Sequence, residues 1–194
     1  MRRRSHGAAL LTAVLTAAIL PVTLSAEAAV IISEPAEKIL SYTDYDGVSA
    51  DMPNVIAARM YAEPGETVEF PVYISNNPGY TASGIALEYD SRLIPILNEN
   101  EKVRMEQGEA ADDVLVLFSN NFEKNYCGMA SMLAESDIQE EDDGVLFYAS
   151  FQVPEDAEPG TCYNMGIKIR ELHDKDGYEI AANPIDGWII IESP

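Results

Sequence analysis

The stretch from 67 to 89 reads TVEFPVYISNNPGYTASGIALEY and contains two runs of alternating residues. Every second residue from Val68 to Ile74 is apolar, and so is every second residue from Ile85 to Tyr89. A period of two is typical of a β-strand that buries one face. The letters NNPG between the runs are a turn signal. The stretch therefore predicts two consecutive strands of a sheet that covers a core.

Runs of the same kind recur outward from this stretch, and no part of the chain keeps a helical period over three turns. Nine strands are predicted, at 55–61, 67–74, 81–89, 93–97, 114–118, 126–134, 145–153, 163–169 and 188–191. Short strands separated by turns at this spacing predict an all-β fold, a nine-stranded antiparallel β-sandwich. A closed barrel is the competing all-β arrangement, and periodicity does not separate the two.

The first 28 residues have the three parts of a secretory signal peptide. Three arginines at 2–4 precede an uncharged apolar run at 8–20, and Ala26-Glu27-Ala28 offers a cleavage site. The run is shorter than the roughly 20 residues that a bilayer requires, and no later stretch is longer. We therefore expect an extracellular protein without a membrane span. Residues 29–53 are expected to be a linker or N-terminal extension, and 54–193 the sandwich domain.

The net charge restricts the choice of partner. It is −21 for the whole chain, and removal of residues 1–28, with three arginines and one glutamate, would make it −23. Such a charge opposes binding to nucleic acid and to anionic lipid. Both a basic partner and simple solubility remain open as explanations.

A search for catalytic and metal-binding residues finds no convincing set. His173 is the one histidine outside the signal peptide, and it stands among acids in a predicted loop. The acids fall mostly in turns, where carboxylates are solvated, rather than as a pair across a cleft. Asp174 to Gly177 and Asp142 to Gly144 could be calcium loops, but Asp-Gly is also an ordinary hairpin turn. We expect no enzyme activity, and no metal or cofactor on this chain.

Several short motifs occur in the order found in the cohesin family, whose modules are receptors for dockerin modules in bacterial cellulosomes. They are AEPGETV at 62–68 with FPV at 70–72, GIALEYD at 84–90, MLAE at 132–135, DGVL at 143–146 with FQV at 151–153, PGT at 159–161 and DGWI at 186–189. The resemblance covers roughly 54–192. It implies a jelly-roll sandwich that binds a dockerin on one sheet, made of the third, fifth, sixth and eighth strands. The calcium of such a complex belongs to the dockerin.

Alternation then indicates which side chains of that sheet face outward. The outward candidates are Ala82, Gly84, Ala86 and Glu88 on the third strand, Gly128, Ala130 and Met132 on the sixth, and Asn164, Gly166 and Lys168 on the eighth. Asn120 and Phe122 are candidates at the end of the fifth strand, and Glu135 stands where the family carries an interface glutamate. Small outward residues suit a platform for a partner helix, or a strand that a loop covers.

The cohesin sheet order also bears on the two cysteines. Cys127 is expected to point inward and Cys162 outward, on strands separated by another strand, so that they stay unpaired. Some cohesins carry a polar pair on the third strand where this chain has Ala82 and Gly84, so the class of dockerin does not carry over.

Three functions remain after this comparison of motifs. The expected function is that of a dockerin-binding module, monomeric when unbound and associated with a cell surface or cellulosome for polysaccharide degradation. The alternatives are a carbohydrate-binding module of the related sandwich fold and a structural surface module without a specific ligand. A carbohydrate site needs a coplanar row of exposed aromatic rings, which the sequence does not indicate.

Overall fold

The computed structural model describes residues 38–133 and 141–192, in which twelve β-strands form two six-stranded sheets. Three short 3₁₀ turns are the helical elements of this part of the chain. The strands are β1 (Asn54–Ala57), β2 (Arg59–Ala62), β3 (Thr67–Ser75), β4 (Ala82–Tyr89), β5 (Ile94–Pro95), β6 (Met105–Gln107), β7 (Leu115–Asn121), β8 (Tyr126–Met132), β9 (Gly144–Gln152), β10 (Cys162–His173), β11 (Asn183–Ile185) and β12 (Gly187–Ile191).

The two sheets pack face to face around one core. The front sheet has the order β2-β12-β10-β4-β8-β7, and the back sheet the order β11-β1-β3-β9-β5 with β6 also on β9. Phe70, Phe147 and Phe151 of the back sheet and Leu87 and Ile189 of the front sheet are fully buried between them. The predicted all-β sandwich is therefore confirmed. The sheet implied for the binding face is also formed, since β10, β4, β8 and β7 are successive neighbours.

The strand count and the strand directions differ from the prediction. The predicted strand at 55–61 divides at Ala58, whose N–H donates to Pro71 of the back sheet and whose carbonyl accepts from Trp188 of the front sheet. β6 and β11 have three residues each, too few to show a period. Two pairs, β1 with β11 and β2 with β12, are parallel, so the sandwich is antiparallel only in its remaining pairs.

Residues 38–53, here called the N-terminal segment, pair with the edge strand β2 of the front sheet at 38–40 and then pack against the outer face of the back sheet. Tyr45 is 6% exposed and forms a small apolar cluster with Ile56 and Ile185. Its hydroxyl accepts a hydrogen bond from Arg59 N at 2.6 Å and donates to the Leu40 carbonyl at 3.1 Å. The pKa of Tyr45 is raised by this burial. The predicted signal peptide at 1–28, residues 29–37 and Glu135 lie outside the described residues.

Both cysteines are free, as predicted. Cys127 on β8 is buried in the core and Cys162 on β10 is part-exposed, with β4 between the two strands. Burial raises the pKa of the Cys127 thiol to about 12, because removal from water disfavours the thiolate.

Candidate partner-binding face of the front sheet

The register of β4 decides which side chains face outward. Ile85, Leu87 and Tyr89 belong to the core cluster. The alternate residues Ala82, Gly84, Ala86 and Glu88 therefore face outward, as the sequence predicted. They stand opposite Met132, Ala130, Gly128 and Tyr126 of β8. The predicted outward residues of β4 and β8 thus lie side by side on one surface.

The centre of this surface is not the bare platform that the sequence suggested. β10 runs on to His173, beyond the predicted end at 169, and a bulge lies between Ile169 and Glu171. The Arg170 guanidinium lies 4.8 Å from the Tyr126 ring centroid. To reach that ring from β10, the Arg170 side chain must cross β4 at Ala86, which is only 4% exposed.

Glu171 covers the neighbouring part of β4. A methyl group added at Gly84 would lie 3.0 Å from Glu171 Cγ and 3.5 Å from Arg170 Cβ. The small outward residues of β4 are therefore partly covered, by side chains of β10 rather than by a loop. The sequence prediction missed Arg170 because the strand was expected to end at 169, and it missed Glu171 because the bulge shifts the period by one position.

Gly128 has a structural role in the sheet itself. A Cβ at this position would lie 2.4 Å from the Ile85 carbonyl oxygen and 2.9 Å from Ala86 Cα. No other residue fits without moving β8 away from β4. The presence of glycine here follows from strand spacing and carries no information about a partner.

An exposed apolar patch lies at the β7 edge of the front sheet. Leu115 and Leu117 are 62% and 75% exposed, and Met132 beside them is 60% exposed. Val116 and Phe118 alternate with the leucines and pack against the core. The patch, defined as these three exposed residues with Ala82 and Ala130, lines a shallow cavity of about 470 Å³.

The sequence contains a signal for this patch in the apolar run at 114–118. The run VLVLF at 114–118 lacks alternation, so no outward residue was assigned within it. In a two-layer sandwich a strand has only one buried face, so such a run must leave every second apolar residue in solvent. The exposed leucines are the consequence.

The remaining residues predicted for the binding face differ in whether they point outward. Asn120 is paired with the core-facing Cys127, so its predicted outward placement is wrong, and Ser119 and Asn121 take the outward positions. Phe122 lies in the 3₁₀ turn after β7 and is 45% exposed. Asn164 and Lys168 are exposed on β10, with Gly166 between them. Lys168 forms an ion pair with Glu88 at 3.5 Å.

The opposite edge of the same face carries two aromatic rings. Trp188 of β12 and Tyr61 of β2 have ring centroids 5.4 Å apart and planes inclined at 68°. Rings at this angle cannot stack together on one flat sugar chain. The geometry disfavours the polysaccharide platform that a carbohydrate-binding module requires.

The described part of the chain contains no candidate metal-binding site. Within 38–133 and 141–192, no three His, Cys, Asp or Glu side chains are placed to share a metal ion. The loop at Asp174 is a turn in which its carboxylate accepts from Asp176 N and Tyr178 N, both at 2.9 Å. Over the same residues, no helix is both long enough and apolar enough to cross a bilayer.

Together, the fold and this surface define a two-layer β-sandwich module with an exposed apolar patch on one sheet. The family model for the Cohesin domain matches residues 53–191. The chain belongs to the cohesin family, as its motifs indicated. Cohesin modules are non-catalytic protein-binding domains, so the chain is not an enzyme.

Individual relatives agree with this assignment. A cellulosome-anchoring protein of Acetivibrio thermocellus is 27% identical over 146 residues, which are 72% of this chain but 31% of that protein. The chain thus matches less than a third of the relative's length.

Solved structures establish the fold. The OlpA cohesin of Clostridium thermocellum, solved in complex with a dockerin, has 21% identity and a TM-score of 0.58, covering 73% of this chain and 99% of that one. A non-cellulosomal cohesin from Archaeoglobus fulgidus has 22% identity and a TM-score of 0.59, covering 73% and 92%.

Proposed function

We propose that this chain is a secreted binding module that docks dockerin-bearing proteins on the outer face of its front sheet. The observation that carries the proposal is the exposed apolar patch. Leu115, Leu117 and Met132 are each at least 60% exposed, and they adjoin the outward residues of β4 and β8. Three large apolar side chains grouped at one place on a surface mark an interaction site, whereas isolated ones do not.

The shape of the face suits a helical partner. The outward residues beside the patch on β7 and β8 include Ser119 and Gly128, so that a helix can approach the sheet closely there. Arg170 and Glu171 partly cover the neighbouring strand β4. Leucine and methionine side chains at one end supply apolar contact, and methionine adapts to different shapes. An amphipathic helix laid on a groove is a common mode of recognition.

The relatives support the remaining parts of the proposal. Cohesins of the same fold are solved in complex with dockerins, and the Acetivibrio relative is a cellulosome-anchoring protein. We therefore place this chain at a cell surface or cellulosome, where it assembles proteins for polysaccharide degradation after export by the predicted signal peptide. The calcium ions of the complex are carried by the dockerin, and the unbound module is a monomer.

A panel of dockerins tests the proposal. We expect at least one calcium-loaded dockerin to bind the chain in isothermal titration calorimetry, and a chelator to abolish that binding. Leu117→Asp should weaken binding by about 2–4 kcal/mol, because it places a charge at the centre of an apolar contact. Its effect on the free energy of unfolding should stay within about 0.5 kcal/mol.

Ile94→Asp is the matched control, because Ile94 is 51% exposed but belongs to the back sheet. It should leave binding unchanged. The proposal fails if no dockerin of the panel binds, and the choice of face fails if Leu117→Asp and Ile94→Asp have equal effects. Cellulose and xylan binding, measured in parallel, would instead support the carbohydrate-binding alternative.

A further inference from the structure

We infer, on the basis of the proposed function, that the partner places a carboxylate against Arg170 at the centre of the front-sheet face. The partner surface would then be an amphipathic helix with apolar residues toward Leu117 and an aspartate or glutamate toward Arg170. The observations that lead to this are the position of Arg170, the lack of an ion-pair partner for it among residues 38–133 and 141–192, and the charge of the surrounding face.

The position of Arg170 is fixed by the fold. Arg170 continues the outward alternation of Gly166 and Lys168 on β10, and its guanidinium rests 4.8 Å from the ring centroid of Tyr126. Stacking on the ring occupies one face of the guanidinium and leaves the N–H groups at its edge free to donate. A recess of about 100 Å³, lined by Ala86, Ser119 and Arg170 among others, lies beside it.

The charge of Arg170 is not balanced by a contact. Within the described residues, no carboxylate oxygen lies within 4 Å of its guanidinium nitrogens, whereas its neighbour Lys168 is paired with Glu88. A planar guanidinium matches a carboxylate in bidentate geometry, and such pairs are among the stronger hydrogen bonds. Arg170 is thus a positioned donor without an acceptor.

The electrostatics of the face admit an acidic partner residue. The chain carries a net charge of −21, which repels acids in general. The outward charges of β4 and β10, however, are two acids, Glu88 and Glu171, and two bases, Lys168 and Arg170. The face is therefore locally neutral, and Arg170 is the place on these two strands where a cation remains available.

Calorimetry with the tightest dockerin of the panel tests the inference in the full chain. Arg170→Gln should weaken binding on the order of tenfold or more, and Arg170→Lys should recover only part of that loss because it lacks the bidentate fork. Arg104→Gln is the control and should change binding less than about threefold, because Arg104 is an exposed arginine already paired with Glu69 and Glu106 of the back sheet. Thermal unfolding of each variant establishes that it is folded.

A charge exchange identifies the partner group. The exposed carboxylates of the dockerin are changed to lysine one at a time and measured against the unaltered chain and against Arg170→Glu. One dockerin variant should lose binding to the unaltered chain and regain at least tenfold with Arg170→Glu. The arm with the unaltered chain tests the inference even if Arg170→Glu does not fold.

Each of the other possible results would contradict the inference or the proposed function. Equal binding by Arg170→Gln and the unaltered chain would overturn the inference and leave the proposed function standing. A loss in Arg170→Gln that no carboxylate exchange reproduces would overturn the assignment of an acidic partner group. If no dockerin binds the unaltered chain, the proposed function and this inference fall together.

Discussion

The outer faces of the two sheets differ in how much of their apolar surface is exposed to solvent. On the back sheet, Ile56 and Ile185 face outward and are covered by the N-terminal segment, whose Tyr45 is itself 6% exposed. On the front sheet, Leu115 and Leu117 face outward with 62% and 75% of their surface in solvent, and no described residue covers them. Each face has apolar side chains, but the described residues supply a cover for only one.

If the proposed function is correct, this difference separates a structural surface from a binding surface. The hydrophobic effect penalises exposed apolar area equally on both faces, at about 25 cal/mol per Å². The segment at 38–52 lies outside the matched cohesin residues 53–191, so it is an addition that stabilises the back sheet of this chain. In the free module, the apolar side chains of the front face stay exposed, and the free-energy penalty of that exposure remains. This arrangement is expected if a partner covers the side chains on binding.

The largest expected effect concerns the cover of the back sheet. Tyr45→Ala should lower the free energy of unfolding by about 3 kcal/mol, because it removes a buried ring and leaves Arg59 N without its acceptor. Dockerin affinity of the folded fraction should not change. Urea denaturation and calorimetry measure the two quantities.

Tyr45→Phe is the control for the ring. It keeps the packing of Tyr45 on Ile56 and loses only the hydroxyl, so the loss should be about 1 kcal/mol. If Tyr45→Ala weakens dockerin binding without changing stability, the N-terminal segment is part of the binding site and the contrast between the faces is wrong.

A smaller effect is expected from added bulk at the centre of the front face. Ala86→Arg should lower the free energy of unfolding by about 1 kcal/mol, because the new side chain must displace Arg170 from Tyr126. It should also weaken dockerin binding at least tenfold, since it occupies the surface on which the partner helix lies.

Leu87→Arg, one residue further along β4, is the contrasting variant. Leu87 is fully buried, so a charge there should unfold the domain. Circular dichroism compares the two variants. Equal unfolding by both would mean that Ala86 belongs to the core, and unchanged binding by a folded Ala86→Arg would place the partner elsewhere.

The sequence predicts the direction of a side chain correctly where the strand alternates regularly between apolar and polar residues. Alternation over 81–89 correctly placed Ala86 outward and Leu87 inward, because β4 is regular and has one buried face. Arg170 was missed because the strand was predicted to end at 169, one residue before it. The bulge after Ile169 has no sequence signature of its own, so Glu171 was missed as well. Leu117 was missed because a run of apolar residues was interpreted without considering that the fold has two layers.

Tertiary packing set the features that local patterns do not contain. The mixed composition of residues 38–53, with a glycine and a proline, indicated a linker or N-terminal extension. In the structure, the Tyr45 hydroxyl and the backbone of Lys38 and Leu40 hydrogen-bond to β2. The change of sheet at Ala58 depends on hydrogen bonds to Pro71 and Trp188, both distant in sequence. Such contacts become visible only when the two sheets are assembled.

The smallest expected effect is a chemical difference between the two cysteines of the front sheet. Cys162 is part-exposed on the outer side, whereas Cys127 is buried and its pKa is raised to about 12. At pH 9 the Cys127 thiolate in the folded protein amounts to about one part in a thousand, and water is excluded from it. Iodoacetamide at pH 9 should therefore label one cysteine, and peptide mapping should identify it as Cys162. Both should react in urea without reductant, since neither is in a disulfide. Fast labelling of Cys127 under native conditions would show that β8 opens from β4, and the front face would then be a mobile surface rather than a preformed one.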